Sequence, residues 1–504
     1  MASGSAVDPE FLALPLGKLA AAALERARDF HAEHADFRLE RLRSQRLTLR
    51  DGLLLDASEG DDIGFAVRVV IDGTWGFAAG NGLTVEEVVR VTEQAVRVAM
   101  VAKPISLERI ALADEPVYHD VTWVSPYELD PFDIPVADKV ELLGEWSARL
   151  LAAPAVDHVS AVAYQVRENK FYADSAGTTT TQQRVRIHPT LEAYGGDSAS
   201  GIFDSMRTIA PPVGRGWEYL TGQHYDWDKE LSALPDLLGE KLHAPSVAGG
   251  TYDLVIDPSN LWLTIHESIG HATELDRALG YEANYAGTSF AVLDGLGSLQ
   301  YGSPQLNVTG DRTTPHGLST IGFDDDGVAT QEWDIIKDGV LVGYQTDRRM
   351  AHLMGWGRSN GCAFADSAGH VPIQRMANVS LRPAAADTST TDLISQVDRG
   401  LFIVGDKSWS IDMQRYNFQF TGQRFYEISA GQLRGQVRDV AYQATTTDFW
   451  GSMEAVGGQQ TWVLGGAFNC GKAQPGQVAA VSHGCPSALF RQIKVLNTTA
   501  EGGH

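Results

Sequence analysis

Residues 266–276 read His266-Glu267-Ser268-Ile269-Gly270-His271-Ala272-Thr273-Glu274-Leu275-Asp276. Two imidazoles with a carboxylate between them are the raw material of a hydrolytic metal site. The usual zinc-peptidase pattern, H-E-x-x-H, sets both histidines on one helical face with the glutamate beside them as general base. Here the second histidine comes one residue late. At ~100° per residue, a spacing of four leaves two side chains about 40° apart, whereas a spacing of five leaves them about 140° apart. A regular helix therefore cannot present this pair to one ion. A local i→i+5 widening or a helix break returns them to one side, and such widenings cluster at functional sites. Gly270 is the residue type that tolerates the distortion. The plainer reading is that histidine pairs arise by chance in a chain with 14 histidines, and that His266 or His271 taken singly is a hydrogen-bonded core residue.

The chain around this element has 504 residues, a length that predicts more than one domain. With 40 basic against 64 acidic side chains, its formal charge is −24. That balance argues against nucleic acid or an anionic membrane as partner, because both need cationic patches. The apolar stretch Phe11–Ala27 lacks a basic leader and is interrupted by Pro15, Lys18 and Glu25. It reads as an amphipathic helix, and the protein is expected to be cytoplasmic. Three cysteines, Cys362, Cys470 and Cys485, are too few and odd in number for a disulfide framework and fit a reducing compartment.

Helical periodicity runs from Leu16 to about Ala35. Residues 37–50 then alternate charged and apolar side chains, as in a half-solvated strand. Residues 63–71, Asp72-Gly73 and residues 74–79 predict a β-hairpin. Thr84 with Glu87 is a helix-capping signature. Further helices are expected at 136–153 and 227–243, and strands at 159–167 and 178–192. The segment Ala244–Gly250 has linker chemistry and sets the expected boundary between domains 1–244 and 251–504. The run Asp324-Asp325-Asp326-Gly327 lacks the ligand alternation of a calcium loop and reads as a turn. The fold class is α+β: a mixed N-terminal domain of antiparallel sheet with helices, then a mainly antiparallel β domain carrying the helix with the histidines.

A catalytic metal needs a third protein ligand and an open position. Glu274, Asp276, Cys362, Cys470, His483 and Cys485 are all candidates, and spacing alone does not choose among them. Cys470 lies in a glycine-rich segment expected to turn tightly, where backbone can approach another group closely.

HESIGHATELD is similar to the H-E-x-x-x-H-x-x-E-x-D element of the TldD/PmbA family of metalloproteases. Residues 250–260, 322–331, 337–355, 357–361, 372–383 and 469–477 also resemble family segments, in the family order. The hairpin at 64–79 extends the resemblance to the N-terminal domain. The resemblance implies a motif-bearing, TldD-type subunit, with Zn²⁺ held by His266, His271 and Cys470 and with Glu267 as general base. A set of two imidazoles and a thiolate favours zinc over iron or cobalt. Glu274 and Asp276, on or near the same helix, are expected to support the histidines from behind. The implied activity is hydrolysis of unfolded or small peptides, including modified ones. The implied partner is a motif-lacking PmbA/TldE-type paralogue, with a homodimer second.

Two stretches depart from the family pattern. Residues 406–425 are bulkier and more charged than the glycine-rich segment expected there, and residues 478–490 introduce His483 and Cys485. The rival reading is a catalytically silent scaffold subunit that keeps a metal for structure. Glu267 separates the two, since a structural site has no use for a free carboxylate beside its ligand.

Overall fold

The computed structural model describes residues 6–199 and 201–501. Its first half is built on a seven-stranded sheet: β1 (His34–Arg50), β2 (Leu53–Ile71), β3 (Thr74–Gly80), β4 (Val121–Val124), β5 (His158–Asp174), β6 (Thr179–Asp197) and β7 (Ile202–Arg207). The order is β3-β2-β1-β5-β6-β4 with β7 on β6, and only β4 runs parallel to its neighbour. Asp72 and Gly73 both have positive φ, 49° and 73°, as the two-residue hairpin turn requires. Thr84 caps the helix Val85–Ala102 by accepting the amide of Glu87 at 3.3 Å. That helix and Leu16–Asp29 cover one end of the sheet, burying Leu19, Ala23, Phe37, Phe65, Val67, Val91 and Ala95. The helices Val136–Leu151 and Trp227–His243 cover the other end over Leu47, Leu49, Val159 and Leu191. No helix of the described residues is long and apolar enough to cross a membrane.

The alternating pattern of residues 37–50 predicts a solvated charged face, and here the structure differs. Arg38 and Glu40 of β1 are each 2% exposed. The acidic turn 324–327 lies over them, and its burial was not legible in the sequence. Asp325 accepts from Lys170 at 2.9 Å and from Arg38 at 3.3 Å, while Asp326 meets Arg68 at 2.6 Å. Arg184 donates to the Leu318 carbonyl at 3.0 Å. Most of these charges are paired and hydrogen-bonded, as burial demands. Glu40 is the exception, with Arg38 and Lys170 at 3.8 Å each and no hydrogen bond, and burial pushes its carboxyl up to about 7. The charged face of the first sheet is thus the seat for the second half of the chain.

In the second half, β8 (Gly250–Ile256) lies between Arg399–Ile411, which it pairs in parallel, and Ala488–Asn497. Val440–Thr445 and Asn417–Ser429 follow, and Asn417–Ser429 pairs back onto Arg399–Ile411, closing a ring of five strands. A four-stranded sheet and the hairpin Val463–Lys472/Gln477–Cys485 pack beside it. Removing the Asp325 carboxylate leaves the Lys170 ammonium buried with a key partner gone. Asp325→Ala is expected to cost about 3–5 kcal/mol of unfolding free energy by denaturant titration; a cost under about 1 kcal/mol contradicts the load assigned to this contact.

Candidate metal centre

β8 delivers the chain to Asp257, whose carboxylate caps the next helix by accepting the Ser259 amide at 2.9 Å, with Pro258 in the first turn. The helix Pro258–Ile265 is buried almost throughout, because Leu261, Trp262, Leu263 and Ile265 face core on all sides. It runs straight into a π-helical turn, His266–Gly270, in which the His271 amide donates to the His266 carbonyl. This i→i+5 bond is the widening that the late histidine predicts. The two imidazole centroids lie 4.7 Å apart. Carbonyls displaced from regular pairing find partners elsewhere: the Tyr301 hydroxyl binds Ser268 O, and the Gln345 amide binds Gly270 O at 2.7 Å.

Gly270 serves this turn differently from expectation. Its φ and ψ, −52° and −60°, suit any L-residue. A Cβ there would lie 2.6 Å from the Met376 sulfur, so the end of that buried side chain would have to move aside.

Cys470 comes from the hairpin Val463–Lys472/Gln477–Cys485: it lies on the first strand, and the tight turn of this glycine-rich segment follows at 473–476. The register slips between Ala467 and Cys470, a bulge of the kind that re-aims a side chain. The buried Arg375 guanidinium holds the Cys470 carbonyl at 2.5 Å. Cys470 Sγ lies 3.5 Å from His271 Nε2, and one donor atom from each of His266, His271 and Cys470 falls within 4.8 Å of the others. Among the described residues, this is the cluster of metal-ligating side chains that forms. Cys362 and Cys485 are buried elsewhere, beside Asn360 and the Pro258 carbonyl.

The hydrogen-bond network assigns the tautomers. His483 Nδ1 lies 2.8 Å from the Val379 carbonyl, which can only accept, so His483 Nε2 carries the lone pair. That lone pair receives His266 Nδ1–H at 2.7 Å and leaves His266 Nε2 free. His271 Nδ1–H donates to Glu274 at 2.9 Å and leaves Nε2 free beside the thiol. Burial pushes the His271 imidazole down to about 3 and His483 to about 4, and drives His266 well below its ordinary value. All three are therefore neutral, the ligating form. Burial also pushes the Cys470 thiol up to about 11, so a thiolate here calls for a cation beside it. The donor set fits a zinc-type ion.

Glu274 lies behind His271, and Lys472 and Arg277 flank it at 3.2 and 3.5 Å. Asp276 contacts no histidine; its carboxylate meets Lys472 at 2.8 Å, one step further from the imidazoles. Glu267 is 5% exposed. Burial pushes its carboxyl up, and the Arg415 guanidinium, 2.5 Å away, opposes that shift. Arg358 pairs with Glu115, at 2.6 Å. His483, a candidate third ligand by sequence, instead accepts His266 Nδ1–H and lies outside the ligand cluster, and no sequence signal singled out Lys472 or Arg415. Period-two alternation in Gln477–Cys485 sets His483 on one face with Val481 and Cys485, a signal for its placement. A cavity of about 210 Å³ lies beside Trp262, whose ring is 6.3 Å from that of His266; Arg207 and His188 of the first half and Lys407, Trp409 and Phe468 of the second also line it.

Comparison with known proteins places this architecture in a class. The PmbA/TldA metallopeptidase C-terminal domain profile matches residues 249–497, and the domain 1 profile of the same family matches residues 35–99. The chain belongs to the PmbA/TldD metallopeptidase family. It is 27% identical to a protein named metalloprotease from Methanothermobacter thermautotrophicus over 473 residues, spanning 92% of this chain and 96% of that one. It is 23% identical to a zinc metalloprotease TldD homolog from Saccharolobus solfataricus, spanning 94% and 98%. Its fold is similar to that of a Thermotoga maritima protein described as a putative modulator of DNA gyrase, at TM-score 0.76 and 17% identity over 95% of this chain and 100% of that one. TldE from Thermococcus kodakarensis is similar at TM-score 0.72 and 15% identity, over 94% and 98%.

Gly270→Ala is expected to cost about 1–3 kcal/mol through overpacking against Met376. Pairing it with Met376→Ala should recover part of that cost in thermal unfolding; strictly additive losses contradict the contact.

Proposed function

We propose that this protein is a zinc-dependent peptidase acting on unfolded or small peptides, including modified ones, and that it divides into domains 1–244 and 251–504. The convergence of His266, His271 and Cys470 within 4.8 Å carries the reading. His266, His271 and Cys470 would hold the zinc ion, which when bound would supply Lewis acidity to the scissile carbonyl and the attacking water. Glu267, adjacent to His266, takes the proton of that water and returns it to the leaving amine. His483 and Glu274 fix the two imidazoles in the tautomer that ligates. The strand Val463–Lys472 pairs on one side only among the described residues. Its other edge offers main-chain groups to an extended peptide, a mode with weak sequence selectivity.

A motif-lacking TldE-type paralogue is the partner this reading favours, with a homodimer second; the likeness to a TldE structure supports it. Location in the cytoplasm suits three buried, unpaired cysteines. The rival, a metal-holding but silent subunit, draws on one observation: Glu267 is already engaged by Arg415.

The test is zinc content and peptide hydrolysis with and without the paralogue. Glu267→Ala should keep zinc and lose about 10²–10⁴-fold in kcat, and Cys470→Ala should lose the metal. Replacing His483 with Phe is expected to weaken zinc binding about 10–100-fold. Wild-type protein that holds zinc yet cleaves no peptide, with or without the paralogue, supports the silent rival.

A further inference from the structure

Arg415 sits in the turn between the strands Arg399–Ile411 and Asn417–Ser429, with φ of 64°. That left-handed backbone favours glycine, and a bulky residue held in it at a candidate active site calls for a reason. The turn is well anchored. The Asp412 carboxylate accepts the amides of Gln414, Tyr416 and Asn417 at 3.1, 2.8 and 3.0 Å. Thr446 donates to the Arg415 carbonyl at 2.8 Å, and Thr288 donates to the Met413 carbonyl at 2.9 Å. These contacts fix the backbone of the turn, and Glu267 holds the guanidinium near the metal centre, where its charge acts on His266, His271 and Cys470.

Buried arginines of this chain fall into two kinds: Arg184 and Arg186 each bind one carboxylate, that of Glu168, while Arg68 and Arg167 each bridge two. Arg68 binds Asp36 and Asp326 at 2.8 and 2.6 Å, and Arg167 binds Asp8 and Asp130 at 2.7 Å each. Arg415 binds one carboxylate, Glu267, through Nη1; its buried Nε has no hydrogen-bond partner, a trait it shares with Arg167. A guanidinium presents five donors in a rigid fork that matches carboxylate geometry. Its side chain is 15% exposed, so part of the fork is open to solvent beside Glu267.

We propose that Arg415 is a carboxylate-binding, specificity-determining residue, seating an anionic group of the peptide beside Glu267. This rests on the peptidase reading and adds a substrate class to it: peptides whose free α-carboxylate or acidic side chain lies next to the bond to be cleaved. The overall charge of −24 repels such substrates at long range, so selection for them is local, at the fork. When the substrate carboxylate occupies the free donors, the guanidinium is shared between two anions, as in Arg68 and Arg167, and its grip on Glu267 loosens.

The experiment measures binding of three fluorescent peptides of one neutral sequence to the zinc-loaded protein. One has a free C-terminal carboxylate, the second is C-terminally amidated with a single Glu, and the third is amidated and neutral. Wild type should bind at least one acidic peptide about tenfold or more tighter than the neutral one, the scale of a charge-assisted hydrogen bond. The arm that gains identifies the source of the carboxylate. Arg415→Gly, which suits the backbone at φ 64°, should erase the preference. Arg415→Lys should retain part of it, and Glu267→Ala, which frees the fork, should increase it. Equal binding of all three peptides by wild type, or an acidic preference that survives in Arg415→Gly, overturns the proposal. Binding is read without turnover, so a failure here is distinct from a failure of peptidase activity.

Discussion

One hydrogen bond, from the His271 amide to the His266 carbonyl, sets the geometry on which the centre depends. With an i→i+4 bond in its place, the second imidazole would swing to the far side of the helix. The wide turn persists because distant parts of the chain satisfy what it disrupts. Tyr301 and Gln345 take the displaced carbonyls, and Met376 fills the space a side chain at position 270 would need. Residues 301, 345, 376, 470 and 483 converge on six residues of backbone, so the centre is a product of the entire second half rather than of a local motif.

Charge around the centre is layered. The innermost shell is neutral without metal: three imidazoles lowered by burial and a thiol raised by it. Outside it, Glu274, Lys472, Asp276 and Arg277 alternate in sign, so each charge that orients a ligand is itself paired. The same logic works on a larger scale, where the acidic turn 324–326 seats on Arg38, Arg68 and Lys170 and fixes the first half as one wall of the cavity beside Trp262.

What the sequence revealed and what it hid follow one division. Features with a local cause were legible: the Asp72-Gly73 hairpin, the Thr84 cap and the widening forced by a spacing of five residues. Features set by packing were not. Gly270 looked like a conformational necessity, yet its backbone is ordinary and the end of the Met376 side chain stands where a Cβ would go. The charges of β1 looked solvated because alternation reports polarity, not which element covers the polar face. Asp276 shares the motif helix region with Glu274, but the buried Lys472 ammonium, three-dimensionally adjacent and nearly 200 positions away, claims it. Residues 406–425 stood out as unusually charged, and the structure shows one consequence of that in Arg415.

X-ray absorption at the zinc edge of the purified protein addresses the central claim most directly. Two imidazoles and one thiolate in the first shell predict nitrogen scatterers at about 2.0–2.1 Å and one sulfur at about 2.3 Å. A bound ion with no sulfur neighbour, or a protein that binds no zinc at all, would contradict the account.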